Sequence, residues 1–473
     1  MLNITTFEPR EYQKEILDRT LLNVNNKKNT VIELDCGLGK RFLQFSLLFE
    51  KFMNKSIILI LQSSSSLYET YNYLLKYSNS EELALIDSRS SSAQREWKLE
   101  TKRIVLCLPQ TLSNTIKKFP NALLKFDMVI INEIDQIIRR TSVGNYLKQP
   151  YNNLFHNFQM KTIIGMSGTL RDEHYVVDRL QKKMKNELIS LCETIGNVEF
   201  LSMDSIMETD VKQFIEISEI IPTAIIDDKL LFVSMELDLH IDDVKREILN
   251  QVKKSDINLF YDLKRNSGLF FNPLPIPEEL QQKLFLGYLT RKYLWAMSGK
   301  KSRFHLMKYG LSNEFLKNNL PIIPAKFFAI KQLVFSAKKS IILCSYLDTV
   351  GILSRIIAHN GIKTIEITGK IASLKRASQL DEFRISEEQT VAIISNVGER
   401  DLDLPEAEIL IVFDLVRTTK TVYQKLKRSR GGKCYVLYYH DTNEEKKVKS
   451  VLNKIDERYN WSIKLMPKMQ LMK

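Results

Sequence analysis

The residues most suited to chemistry begin with Asp35-Cys36-Gly37-Leu38-Gly39-Lys40-Arg41, set between the apolar run Val31 to Leu34 and the helix-like Phe42-Leu43-Gln44-Phe45. A glycine-rich turn that leaves a strand and ends in lysine at a helix start can cradle phosphates. Its backbone N–H groups and the helix dipole attract the anion, and Lys40 reaches the outer phosphates. A structural strand-to-helix turn is the competing reading of Gly-Leu-Gly-Lys. The next residue in such a loop should be Ser or Thr, whose hydroxyl ligates Mg²⁺; here it is Arg41, which cannot ligate a metal. A second run, Phe126 to Asp135, reads as a buried strand delivering carboxylates at its C-terminal end. A metal-holding Asp and a water-activating Glu are expected there; Asn132 stands at the Asp position, and Glu133 remains available as the base.

A third group is cationic. Between Glu279 and Glu314 there is no acidic residue, while Lys283, Arg291, Lys292, Lys300, Lys301, Arg303 and Lys308 fall there, interleaved with Tyr288, Tyr293, Trp295 and Phe304. A second basic cluster comprises Lys425, Lys427, Arg428, Arg430 and Lys433. Both are expected to contact phosphates, with the aromatics as stacking platforms or core; Trp295 fits core better. Five cysteines (Cys36, Cys107, Cys192, Cys344, Cys434) lie far apart and read as reduced core residues. Neither they nor the six dispersed histidines support a metal site.

Taken together, these pieces resemble a superfamily 2 helicase core, closest to the Hef helicase group with its Fanconi anaemia M and RIG-I-like relatives. The resemblance starts at Glu8-Pro9-Arg10-Glu11-Tyr12-Gln13, similar to the adenine-reading Q motif, with Gln13 as the base contact. It runs through Gly37, Gly39 and Lys40, then through Ser88 to Trp97, where Arg95 and Trp97 match an Arg-x-Trp. Leu108-Pro109-Gln110-Thr111-Leu112 resembles the strand-contacting motif, which implies nucleic-acid contacts by Pro109, Gln110 and Thr111. Gly165-Met166-Ser167-Gly168-Thr169-Leu170 resembles the motif that couples ATP state to domain movement, which implies that role for Ser167 and Thr169; Gly168 replaces the usual Ala.

In the second half, Thr368-Gly369 and Phe383-Arg384 match landmarks of the group, Thr368 and Gly369 as nucleic-acid contacts. Val397-Gly398-Glu399-Arg400-Asp401-Leu402-Asp403-Leu404-Pro405-Glu406 is the most specific match, departing within the pattern at Asp401 and implying nucleotide contact by Asp403. Gln424 to Gly431 resembles the arginine-finger motif: Gln424 and Arg428 align, while Gly431 takes the last finger position and Arg430 stands one residue out of register. The resemblance implies two RecA-like domains with an inserted helical domain, ATP as ligand, Glu133 and Arg428 as catalytic groups, and a nucleic-acid partner. The Hef likeness tilts that partner toward branched or duplex DNA, gripped in part by Arg291, Lys292, Lys300, Lys301 and Arg303. Hef-type proteins carry a nuclease module after the helicase. The roughly 30 residues after the last strand expected here leave no room for one, so a nuclease is expected only in trans.

The departures fall on one task. Phosphoryl transfer relies on Mg²⁺ held by a hydroxyl and an Asp, with arginines neutralising transition-state charge. Arg41 and Asn132 make the pocket about two charges less favourable to a cation. At an effective dielectric of about 20 and about 4 Å, each change is worth on the order of 4 kcal/mol. Loss of the last finger removes a group that can be worth about 10³-fold in rate. The expectation is a helicase fold that can bind nucleotide through Arg41 without Mg²⁺ and whose ATPase is impaired or lost. An active helicase or translocase on forked DNA is the alternative.

Positioning these groups requires particular elements. Apolar runs at 30–34, 56–61, 104–108, 128–131 and 162–166, separated by helical spacers, predict a doubly wound parallel α/β sheet. The alternation restarts at 340–344, 364–367, 391–394, 409–413 and 434–437. The expected domains are 1–204, a helical insert at 205–325, 326–443, and a C-terminal helix and basic tail at 444–473. Pro273, Pro275 and Pro277 break the insert, and Pro321 with Pro324 closes it. Ser63 to Ser66 and Ser88 to Ser92 read as loops. The chain has 473 residues, 69 Lys+Arg against 56 Asp+Glu, a net charge of +13 and 44% hydrophobic residues. These values exclude wholesale disorder and a collagen-like repeat, predict two or three domains and favour a polyanionic partner. No apolar run approaches the roughly 20 residues of a membrane helix, and no secretory signal opens the chain, so a cytoplasmic protein is expected.

Overall fold

A computed structural model describes residues 8–78, 81–140, 145–170, 173–178, 181–371, 373–395, 406–415, 419–427 and 432–466. The chain divides into two compact units, Met1–Glu216 and Ile217–Lys473.

In the first unit, strands β1 (Asn29–Glu33), β2 (Ile57–Ile60), β3 (Leu83–Ile86), β4 (Ile104–Cys107), β5 (Met128–Asn132), β6 (Thr162–Ser167) and β7 (Val198–Leu201) form one sheet. Their order is β7-β1-β6-β5-β2-β4-β3, and every pairing is parallel. Strands buried on both faces read as unbroken Ile/Leu/Val runs, and β2, β4 and most of β5 are fully buried. The expected strands are all present. β3 and β7 were not among them, because four residues at a sheet edge carry little periodic signal. Two antiparallel strand pairs, 138–140 with 145–147 and 173–178 with 181–186, also belong to the unit. Of the two serine-rich patches, 63–66 differs from expectation, whereas 88–91 forms the expected loop and only Ser92 enters a helix. Ser63 accepts from Ser66 N–H and starts helix Ser64–Tyr77, and Ser91 forms a capping box with Gln94 at helix Ser92–Thr101. A serine hydroxyl satisfying an orphan N–H makes a helix start rather than a loop.

In the second unit, β8 (Ser218–Ile225), β9 (Lys339–Leu343), β10 (Lys363–Ile367), β11 (Thr390–Ile394), β12 (Ile409–Val412), β13 (Lys433–Tyr439) and β14 (Ile463–Leu465) order as β10-β11-β9-β12-β13-β8-β14, again all parallel. Apolar layers cover both faces of this sheet. Helices Asp228–Ser255, Ile257–Arg265, Glu278–Ala296, Gly299–Tyr309 and Asn313–Asn319 lie between β8 and β9. The boundary expected at 205 shifts. Residues 218–225 form a strand of the second sheet, while Asp210 accepts from the N–H groups of Glu11 and Tyr12 in the first unit. The tail also contributes a strand, since β14 follows helix Asn443–Tyr459 and pairs with β8. Among the described residues no helix is long and apolar enough to cross a membrane.

Candidate nucleotide site and nucleic-acid surfaces

The phosphate loop connects β1 to helix Lys40–Ser46. Gly37 and Gly39 take φ of +85° and +83°, values that L-residues avoid. At Gly39 a Cβ would also lie 2.6 Å from Gln13 Nε2. The glycine therefore admits the Q-motif side chain against the loop. Gln13 is buried; its Oε1 accepts from Arg10 N–H at 3.1 Å and its Nε2 donates to the Leu38 carbonyl at 3.4 Å. Tyr12 Oη donates to the same carbonyl at 2.9 Å. Arg10 lies 3.7 Å over the Phe214 ring, which holds the motif from its other side.

Lys40 Nζ donates to the Leu34 carbonyl at 3.1 Å. Burial pushes its ammonium down, but Cys36, Glu133, Asp35 and Asp135 outweigh that and leave it above the ordinary lysine range. A Cβ on Gly168 would lie 3.0 Å from Lys40 Nζ, so the exchange of Ala for Gly leaves that space to the lysine.

β5 delivers Asn132, followed by Glu133 at φ +50°, a left-handed conformation that costs a glutamate energy and turns the chain sharply into the 3₁₀ turn Ile134–Ile137. Asp135 is buried and accepts from Ser167 Oγ at 2.8 Å; Ser167 Oγ in turn accepts from Thr169 N–H at 3.3 Å. Glu33, buried at the end of β1, accepts from the N–H groups of Leu170 and Met203 at 3.1 and 3.4 Å. Gln13, Gly37, Gly39, Lys40, Glu133, Ser167 and Thr169 thus belong to one continuous constellation around the loop.

Arg41 departs from expectation. Its guanidinium pairs with Glu69 of helix Ser64–Tyr77. A cation next to a carboxylate satisfies it, so the added charge at position 41 is largely neutralised, and the two-charge deficit shrinks toward one. Asn132 Oδ1 accepts from Gln44 Nε2 at 3.2 Å, and the Asn132 carbonyl accepts from Gln62 Nε2 at 2.9 Å. Tested as magnesium ligands, these residues do not fit. Position 41 offers no oxygen, position 132 offers a neutral amide oxygen engaged by Gln44, and Asp135 is engaged by Ser167. The glycine turn and Lys40 do fit a phosphate.

Sequence reading passed over Tyr12, Gln44, Glu69 and Asp135 as site residues. Gln44 was findable, because four residues beyond Lys40 is one helical turn on the same face. Glu69 had no signal, since it comes from a separate element.

Pro109 and Thr111 are buried at the start of helix Pro109–Lys118, and Gln110 is exposed there. The helix N-cap is Leu108. In the second unit Thr368 is buried and Gly369 exposed just past β10. Lys300 and Lys301 are exposed, Lys292 is half-buried, Arg303 donates to Asn313, and Arg291 is half-buried and paired with Asp238 at 2.9 Å. Trp295 is core. Lys425 and Lys427 are buried, which removes them from the second cationic surface; helix Thr419–Leu426, which carries Lys425 and ends just before Lys427, packs Val422, Tyr423 and Leu426 into the core. Gln424 is half-buried on that helix. Asp403, Arg428 and Arg430 lie outside the described residues.

Residues 6–172 match the family described as type III restriction enzyme, res subunit, and residues 325–432 match the helicase conserved C-terminal domain. A protein of Methanocaldococcus jannaschii named "Putative ATP-dependent RNA helicase" is 23% identical over 493 residues, spanning 95% of this chain and 60% of that protein. The chain thus spans about three fifths of that relative's length. The crystal structure of the Pyrococcus furiosus Hef helicase domain shares the fold, with a TM-score of 0.58 at 14% identity over 93% of this chain and 98% of that one. With two all-parallel sheets, a glycine–lysine loop in the first and these two matches in sequence order, the chain is similar to superfamily 2 helicase cores, with a fold close to that of Hef.

Proposed function

We propose that this helicase core binds nucleic acid, with branched or duplex DNA as the preferred form, and that its ATP hydrolysis is impaired or lost. The carrying observation is the donor set at the metal position: Arg41 turned to Glu69 and Asn132 engaged by Gln44. Gly37, Gly39 and Lys40 remain suited to a phosphate, so nucleotide binding without a divalent ion is part of the reading. Arg41 reaches that phosphate only by leaving Glu69. Arg428, Arg430, Asp403 and Gln424 enter as the second unit's contributions by family resemblance. Nucleic-acid contacts are assigned to Gln110, Gly369, Lys292, Lys300, Lys301 and Arg303, and a nuclease acting in trans fits the Hef likeness.

A specific observation favours a second reading, an active ATP-dependent translocase. Glu133 lies close enough to Lys40 to raise its proton affinity, so base and phosphate-binding cation share one site. Equilibrium binding of a fluorescent ATP analogue, with and without EDTA, separates the two. Binding indifferent to EDTA, with no phosphate release on forked DNA, supports the first. Metal-dependent turnover near one per second that vanishes in Lys40→Ala establishes the second. Competition among forked DNA, duplex DNA and duplex RNA decides the substrate, the curated relative's name being the argument for RNA.

A further inference from the structure

The last strand of the first sheet, β3, borders a cavity of about 430 Å³ that the nucleotide site does not use. Its walls follow from topology. The chain passes outward from β2 to β3 and back from β3 to β4, so right-handed crossovers place helices Ser64–Tyr77 and Ser92–Thr101 on opposite faces. Tyr71 comes from one helix and Trp97 and Lys98 from the other, with the β3 backbone between them. Ile104 N–H donates to the Glu82 carbonyl at 2.9 Å. In that parallel register residues 82, 84 and 86 turn their backbone groups toward β4, and Leu83 and Leu85 turn theirs outward into the cavity. Lys98 Nζ confirms the direction by donating to the Leu85 carbonyl at 2.9 Å.

The groove is also aromatic and cationic. Trp97 is 54% exposed, with Lys102 Nζ 5.5 Å from its ring. Among the described residues Lys98 and Lys102 donate to neutral oxygens, those of Leu85, Ser90 and the Glu81 backbone, and the carboxylate in the lining, Asp87, is paired with Arg89. We infer that this edge is a docking site for an extended acidic peptide of a partner protein, added as an outer strand beside β3. Its backbone pairs with Leu83 and Leu85, its carboxylates draw Lys98 off the Leu85 carbonyl, and an apolar side chain rests on Trp97. Outward-facing N–H and C=O groups together favour a peptide, whose backbone both accepts and donates, over a nucleic-acid strand, whose phosphates only accept.

The test uses the whole chain and a fluorescein-labelled eight-residue peptide of alternating Asp and Val, with a Lys/Val peptide as control, read by polarisation. The acidic peptide binds and the basic one does not. Leu85→Pro removes one outward N–H while leaving the ladder to β4 intact, and weakens binding about tenfold. Trp97→Ala, at the surface, and Lys98→Glu, which gives up its bond to the Leu85 carbonyl, do the same while leaving the ladder to β4 intact. Equal binding of both peptides, no binding of either, or indifference to all three substitutions overturns the proposal. So does oligo-dT that displaces the acidic peptide equally well from wild type and Leu85→Pro, with a fluorescence quench that Trp97→Ala abolishes, which assigns the groove to nucleic acid.

Discussion

Arg41 and Asn132 each fill a ligand position with a group that finds a partner elsewhere, so the chemistry of the site is decided side chain by side chain. Arg41→Thr with Asn132→Asp returns a hydroxyl and a carboxylate to those positions. The double variant is expected to raise Mg²⁺-dependent phosphate release at least tenfold over wild type, about 1.4 kcal/mol of barrier, in a malachite-green assay. Asn132→Asp alone should do less, because Arg41 still lacks the ligand oxygen. No gain from the double variant would overturn the proposal that these two residues limit hydrolysis. Ser167→Ala removes the bond to Asp135 and leaves a buried carboxylate short of one donor. A stability loss of about 1–3 kcal/mol is expected from denaturant unfolding of this unit.

The loop works as an element because the first helix is pinned against it. Gly39 is where helix, loop and Q motif meet, through both its left-handed φ and the approach of Gln13. Gly39→Ala meets strain and a clash together. It is expected to cost more than the roughly 1 kcal/mol of conformation alone and to weaken nucleotide-analogue binding at least tenfold. Gly168→Ala is the contrasting case. Its Cβ crowds the end of the Lys40 side chain at 3.0 Å and meets Cys36 Sγ and the Leu34 carbonyl at the ordinary contact distances of 3.8 and 3.9 Å, so the fold should keep its melting temperature within about 2 °C.

Across the second unit, the sheet and the helical segment are joined by a buried pair. Lys326 Nζ lies 2.8 and 2.9 Å from the two Glu444 oxygens and 3.1 Å from the Trp295 carbonyl. Lys326→Met leaves Glu444 buried without its partner, and about 3–5 kcal/mol of stability should go. Replacing both with apolar residues should recover most of it. Nearby Lys447 is pushed down to about 8 by burial, then by Lys292 and Arg291, against the pull of Glu444 and Asp414. Its folded value lies below the ordinary 10.5, so the unfolded chain binds more protons between those values and stability contributed here rises with pH. The melting-temperature advantage of Lys447→Met should therefore be greatest below pH 8 and shrink toward pH 10.5. Charge reversal at Lys300 and Lys301, both exposed, should weaken duplex binding and flatten its salt dependence. Arg291, already paired with Asp238, should matter less.

Long apolar runs, glycine spacing and motif order are local properties, and from them the chain by itself determined two parallel sheets, the phosphate loop and the approximate span of the helical segment. Short edge strands such as β3 and β14 escaped because four or so residues carry too little periodicity to oppose a loop reading. Side-chain partners belong to another class of information. That Arg41 turns to Glu69, that Gln44 donates to Asn132, and that Lys425 and Lys427 are buried were decided only by the tertiary structure. Residue type fixes what a group can do, but its partner comes from an element whose position the sequence order does not encode.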